Sequence, residues 1–183
     1  MAVTGDREGF EAFARTRSGA LLRSAYLLTG DHGLAEDLLQ ETLVRVAQHW
    51  ARLDLDGSPE AYARQVLYSR AVDSWRWRRR RPPEVGGAAW DALAERRAGP
   101  GGGDETGDID RRVVLRAALA RLTPRQRAVL VLRFFEDRSE SQTAAVLGCS
   151  VGTVKSQTRH AVDRLRVLAP ELAETFGQEV TTP

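Results

Sequence analysis

A single cysteine and a single lysine in 183 residues are the first scarcities of this sequence. Alone, Cys149 can neither close an intramolecular disulfide nor supply the three or four ligands of a thiolate metal site, so disulfide scaffolds and zinc fingers are excluded. No run approaches the roughly 18 to 20 apolar residues of a bilayer span, and Asp6, Arg7 and Glu8 stand where a signal peptide would carry its apolar core. A soluble, cytoplasmic protein without membrane insertion is expected. Strand-like alternation of useful length is also missing. Catalytic patterns are equally poor: His32, His49 and His160 are scattered, and no serine or cysteine sits in a nucleophile elbow. No phosphate-cradling glycine loop precedes a helix. Glu36 and Asp37 are adjacent, so on a helix they point about 100° apart. No catalytic residue, metal, cofactor or small-molecule substrate is expected, and no enzymatic activity.

Hydrophobic residues at 42% and charged residues at 28% suffice for a folded core. The net charge of +2 conceals an uneven layout, as does the glycine content: seven of the 16 glycines lie between Gly86 and Gly107. Such a stretch loses too much backbone entropy on ordering and reads as a flexible tether. The expected organisation is all-α, with two small helical domains over residues 8–82 and 110–169, a Gly-rich linker over 83–109 and a tail over 170–183.

In the first domain, Phe10, Phe13, Leu21, Leu22, Ala25 and Leu28 predict a helix over 10–28, stopped at Gly30 and followed by a new cap at Asp31. A second helix is expected over 33–50, with Ala35, Leu39, Leu43, Val46 and Trp50 on one stripe. Asp37, Gln40, Glu41, Val44 and Gln48 form another. Ser58-Pro59 opens a third, which Pro82-Pro83 ends near Arg81. In the second domain, Thr123-Pro124-Arg125-Gln126 is a capping box for a helix reaching Phe135, and Ser139 to Gln142 repeats the spacing. Gly148 closes that helix, and Ser150 caps a final one from Val151 to Leu168.

The segment Gln142 to Arg166 has the layout of a helix-turn-helix: a short helix, the turn Gly148-Cys149-Ser150 and a longer helix striped by Val151, Val154, Ala161, Leu165 and Leu168. Packing that stripe leaves Thr153, Ser156, Gln157, His160 and Arg164 outward, with Lys155 and Arg159 on the flank. Short polar groups suit base edges and the cations suit phosphates, although an ordinary solvated face has the same composition. Cys149 reads as a buried small hydrophobe of the turn. Helix three sets Arg64, Arg70, Arg76 and Arg78 to Arg81 against Glu60 and Asp73, a net charge of +5 that attracts a polyanion. Trp75 and Trp77 interleave with these arginines as stacking platforms for unpaired bases, or belong with Tyr68 and Val72 to the core. Helix two is the reverse: Asp31, Glu36, Asp37 and Glu41 against Arg45, a net of −3. It suits a protein partner's helix better than a nucleic acid.

These motifs together resemble the small alternative sigma factors of bacterial RNA polymerase, the extracytoplasmic-function (ECF) group, and within it the actinobacterial SigE type. The resemblance runs from about Phe10 to Leu168 apart from the linker. Leu34 to Arg45 resembles the region-two helix that docks on the clamp helices of the polymerase largest subunit, which implies Glu36, Asp37, Leu38, Gln40, Glu41 and Val44 as polymerase-binding residues. Tyr62 to Arg81 resembles the helix that binds and opens the minus-ten promoter element. It implies contacts from Arg64, Ser69, Arg70, Asp73, Arg76, Trp77, Arg78, Arg79 and Arg80. The preceding Arg52 to Ser58 is similar to a loop that captures a flipped base.

Thr123 to Arg166 resembles region four, which reads the minus-thirty-five element and touches the flap of the second-largest subunit. The implied contacts are Thr153, Lys155, Ser156, Gln157, Arg159, His160 and Arg164. Promoter DNA, core polymerase and an anti-sigma factor are thus the implied partners. Ser69, Gln142 and Thr143 depart from the commoner asparagine, glutamate and isoleucine, and His160 and Asp163 stand where basic residues are usual, so promoter sequence does not carry over. No further C-terminal domain is expected after Leu168. The competing reading is a stand-alone helix-turn-helix regulator that binds duplex DNA without polymerase.

Overall fold

A computed structural model of the chain describes residues 2–55, 57–78 and 114–170. The expected linker and all of the expected tail except Pro170 lie outside them. Every regular element among the described residues is helical: α1 (Ala2–Thr29), α2 (His32–Gln48), α3 (Trp50–Leu55), α4 (Pro59–Arg78), α5 over 114–120, α6 (Pro124–Leu130), α7 (Glu140–Leu147) and α8 (Val151–Leu168).

Local chemistry explains most of the boundaries. Gly30 takes a left-handed φ of 74°, and Asp31 Oδ1 then accepts from the Leu34 amide at 2.8 Å to start α2. Both predicted capping boxes form: Thr123 with Gln126, and Ser139 with Gln142. Gly148 closes α7 at φ 60°, and Ser150 Oγ accepts from the Thr153 amide at 3.1 Å. These bonds satisfy donors and acceptors that helix ends would otherwise strand.

Three boundaries differ from expectation. The first helix begins at Ala2, ahead of Phe10 and of the domain start at residue 8. The second ends at Gln48 instead of Trp50, and α3 occupies part of the expected loop 52–58. Trp50, buried against Phe10 and Phe13 with ring centroids 5.7 and 5.5 Å away, anchors this break. Gly9 leaves room for the indole, since a Cβ there would lie 3.3 Å from it. The third difference is at the end of α6, where the chain widens into a π-helical turn over Val131–Phe135. There the Glu136 amide reaches back to the Val131 carbonyl at 3.0 Å. Such a turn re-aims the side chains that follow it.

The two helical modules pack directly on one another. Leu21, Ala25, Leu28, Leu38, Val46, Leu67 and Tyr68 share one buried cluster with Ala128, Val131 and Leu132 of the second module. A second cluster joins Leu119, Leu122 and Leu130 to Ala161, Val162 and Leu165, and Val129, Ala144 and Val154 form a third. The apolar stripe of α8 therefore runs through Val154, Thr158, Ala161, Val162 and Leu165, whereas Val151 and Leu168 are exposed. Leu38, expected on the polymerase-binding face, is buried at 6% exposure and supports that face from beneath.

Candidate nucleic-acid and polymerase interface

Helix α2 presents Glu36, Asp37, Gln40, Glu41 and Val44 to solvent, and Val44 is 55% exposed. An aliphatic side chain held out among carboxylates, on a helix whose other side is core, has the composition of a surface suited to a protein partner. Thr42 sits at 0% exposure beneath it and returns its hydroxyl to the Leu38 carbonyl at 2.8 Å, so this buried polar group is satisfied within the helix.

Helix α4 divides its arginines. Arg70 pairs with Glu41 across to α2 at 3.1 Å, so the two predicted surfaces meet at this ion pair. Ser69 and Asp73 are exposed. Arg64, expected on the minus-ten surface, is instead half-buried: it donates to Glu60 at 2.8 Å and forms a short ion pair with Glu136 of the second module. In this arrangement its charge is spent inside the protein and not on a phosphate. Its hydrogen bond holds the Glu60 carboxyl below the usual carboxylate range, with burial opposing and the charges of Arg64, Arg17 and Arg138 assisting. Arg76, Trp77 and Arg78 lie at the end of α4, while Arg79 and Arg80 fall outside the described residues. The expected roles of the Trp75 and Trp77 side chains also lie outside them.

Helix α8 carries Lys155, Ser156, Arg159, His160 and Arg164 on its exposed side. Lys155 is drawn toward Glu140 at 3.6 Å, and Arg164 Nε donates to the Arg121 carbonyl at 3.1 Å. Both are weak, exposed tethers that a phosphate can displace. Thr153 and Gln157 are not turned to open solvent. They are half-buried and line a cleft of about 220 Å³ between the modules, facing Ser69 and Asp73 of α4 with Arg125, Val146 and Cys149 on the rim. Cys149 is thus half-buried at a cleft wall, less enclosed than a core position.

The sequence gives no warning of Glu136. Its Oε1 accepts from Ser24 Oγ at 2.7 Å and from the Tyr68 hydroxyl at 2.8 Å, and its Oε2 takes Arg64. Its partners are 112, 68 and 72 residues away in sequence, so no local spacing marks it. Burial, with the Glu136 charge adding to it, pushes the Tyr68 phenol well above its ordinary range, so it stays a hydrogen-bond donor at all physiological pH. Arg127, buried at 4% exposure, donates to the Leu28 carbonyl at 2.6 Å and to Leu119 at 2.8 Å, a second polar tie between the modules.

No group of three or more His, Cys, Asp or Glu side chains among the described residues is arranged to hold a metal ion, and no described helix is long and apolar enough to cross a membrane. An acidic docking helix, an arginine-bearing helix and a capped helix-turn-helix define a DNA-binding protein that also carries a protein-docking face. Residues 13–81 match the sigma-70 region 2 family and residues 112–165 match sigma-70 region 4. The chain is 40% identical over 157 residues to the RNA polymerase sigma-E factor of Streptomyces coelicolor, covering 86% of this chain and 84% of that protein. It is 34% identical over 159 residues to the ECF RNA polymerase sigma factor SigL of Mycobacterium tuberculosis, covering 86% and 87%. The fold is shared with the sigma factor RpoE of Bartonella quintana, solved in complex with the anti-sigma factor NepR: TM-score 0.63 and 24% identity over 88% of this chain and 96% of that one. The chain belongs to the ECF sigma factors of bacterial RNA polymerase. It is an alternative sigma factor that directs transcription initiation, and the stand-alone regulator is not favoured.

Proposed function

We propose that this sigma factor divides its work among three helices. The face of α2 formed by Glu36, Asp37, Gln40, Glu41 and Val44 docks on the clamp helices of the polymerase largest subunit, with Leu38 as its buried support. Helix α4 contributes Ser69, Arg70, Asp73, Arg76, Trp77 and Arg78, together with Arg79 and Arg80, to minus-ten recognition and melting. In α8, Thr153, Ser156 and Gln157 read base edges of the minus-thirty-five element, and Lys155, Arg159, His160 and Arg164 follow the phosphates. The functional units are residues 8–82 and 110–169, joined by the linker 83–109 and followed by the tail 170–183.

The observation that carries this reading is the exposed aliphatic Val44 among carboxylates on a helix whose other side is core, on the same chain as a capped helix-turn-helix. The factor acts in the cytoplasm without enzymatic activity of its own. An anti-sigma factor, such as the Bartonella protein binds, and the flap of the second-largest subunit complete its partners. Reversing charge at Glu36 and Asp37 should abolish association with core polymerase while leaving binding to duplex DNA intact. Gln157→Ala should reorder the promoters used in transcription with purified core polymerase. Unchanged polymerase association in the first variant, or an unchanged promoter ranking in the second, would refute the corresponding assignment.

A further inference from the structure

We infer, on the reading of α8 as the helix that enters the groove, that Arg121 and Arg125 at the junction of α5 and α6 form a second phosphate-binding flank. The minus-thirty-five duplex is then gripped on both of its strands. A helix lying in a major groove about 12 Å wide has a phosphate backbone on either side of it. Cations on both flanks hold it over the base edges that it reads.

Successive residues of an α-helix are about 100° apart, which divides the outward side of α8 into two flanks. Thr153, Gln157, His160 and Arg164 fall within about 60° of one another, and Lys155 and Arg159 lie about 150° away across the exposed side. Tertiary contacts follow the same division. Lys155 leans toward Glu140 of α7 at 3.6 Å, whereas Arg164 Nε donates to the Arg121 carbonyl at 3.1 Å, on the α5–α6 side. Within α8 itself the second flank carries one permanent charge, Arg164.

The neighbouring elements supply two more. Arg121 and Arg125 are exposed, and neither guanidinium has a hydrogen-bond or ion-pair partner among the described residues. Arg125 lines the cleft that Thr153 and Gln157 also line, and Arg121 carries the carbonyl held by Arg164. Three arginines therefore stand along one flank of the recognition helix. Unpaired charge of one sign gathered beside a groove-reading face raises the local concentration of an external anion, and the phosphates of the duplex are that anion. Both added arginines precede the helix-turn-helix segment 142–166, so its spacing gives no sign of them.

The backbone beneath them is held from both sides. Leu119 and Leu122 share a buried cluster with Ala161, Val162 and Leu165 of α8, and the Thr123–Gln126 capping box sets the start of α6. The second module's own packing thus fixes where these arginines start relative to α8, and less ordering is needed when DNA arrives.

The test uses holoenzyme assembled from the full chain and core polymerase, on a promoter mapped by run-off transcription. Affinity is followed from about 50 to about 200 mM salt for the parent, for Arg121→Gln/Arg125→Gln and, on the other flank, for Lys155→Gln. Each lost phosphate contact lowers the slope of log affinity against log salt by about 0.9, so the double variant should lose about 1.8. It should bind roughly tenfold more weakly than the parent at the low end and approach the parent at the high end. The ranking of promoters should stay the same, because phosphates carry no sequence information. On a duplex that ends just downstream of the minus-thirty-five element, parent and double variant should bind alike.

An unchanged slope in the double variant, with Lys155→Gln losing its share, would overturn the second flank and leave the recognition helix in place. A loss that persists on the shortened duplex would also overturn it, since the arginines would then act away from the upstream strands. If Lys155→Gln too leaves the slope unchanged, the reading of α8 itself fails and the second flank falls with it.

Discussion

The two modules of this sigma factor are built by different means. In the second, the helix starts at Thr123, Ser139 and Ser150 are each set by a side chain that accepts from an amide three residues on, and Gly148 closes a helix through its left-handed backbone. In the first, three long helices and a short one are arranged largely by what they bury: Trp50 against Phe10 and Phe13, and Leu67 and Tyr68 at 0% exposure. The contrast teaches that local capping fixes the shape of a reading head in advance, whereas burial leaves the first module dependent on its neighbour. Leu132 and Glu136 of the second module complete the first module's core and satisfy its buried donors.

The sharpest way to break this contrast is in the shared core. Leu132→Ala should destabilise by about 2 to 5 kcal/mol, and should lower the unfolding midpoint of both modules together in urea titrations followed by tryptophan fluorescence and far-UV circular dichroism. A loss confined to one module would show that the cores are independent. A smaller effect is expected from Ser139→Ala, which removes one capping box: about 1 kcal/mol, read as a lower thermal midpoint with the first module's fluorescence unchanged. Gly148→Ala, forcing a side chain into φ 60°, should cost about 1 kcal/mol in the same assay.

Two weaker effects sharpen the picture. Thr143 is fully buried, and its hydroxyl has no hydrogen-bond partner among the described residues. Thr143→Val should be neutral or stabilising by up to about 1 kcal/mol in thermal unfolding. Glu60 has its folded pKa depressed by the Arg64 hydrogen bond, so its stabilisation is present above the unfolded value of 4.5 and is lost as pH falls through the folded value. Parent and Glu60→Gln stabilities should therefore differ at neutral pH and converge in acid, a small effect because the carboxylate is 36% exposed.

Legibility followed the same division. The helix-turn-helix, its caps and its turn glycine could be read from Thr123, Ser139, Gly148 and Ser150, because each acts on a neighbour a few residues away. The break at His49 could not: no glycine or proline marks it, and it depends on a Trp50 pocket made by α1. Leu38 and Val44 both belong to the apolar pattern of α2, and only packing shows that the first is inside and the second outside. Arg64 has the composition of a phosphate contact, yet Glu136, remote in sequence, takes it. The inward position of Thr153 and Gln157 likewise depends on the other module.

Run-off transcription with purified core polymerase free of other sigma factors, using fragments of the host genome with and without this chain, is the most direct test of the sigma assignment. New transcripts from defined start sites are expected only when the chain is present, and these starts define both promoter elements. No transcripts, together with tight binding of the chain alone to palindromic duplex sites, would contradict it.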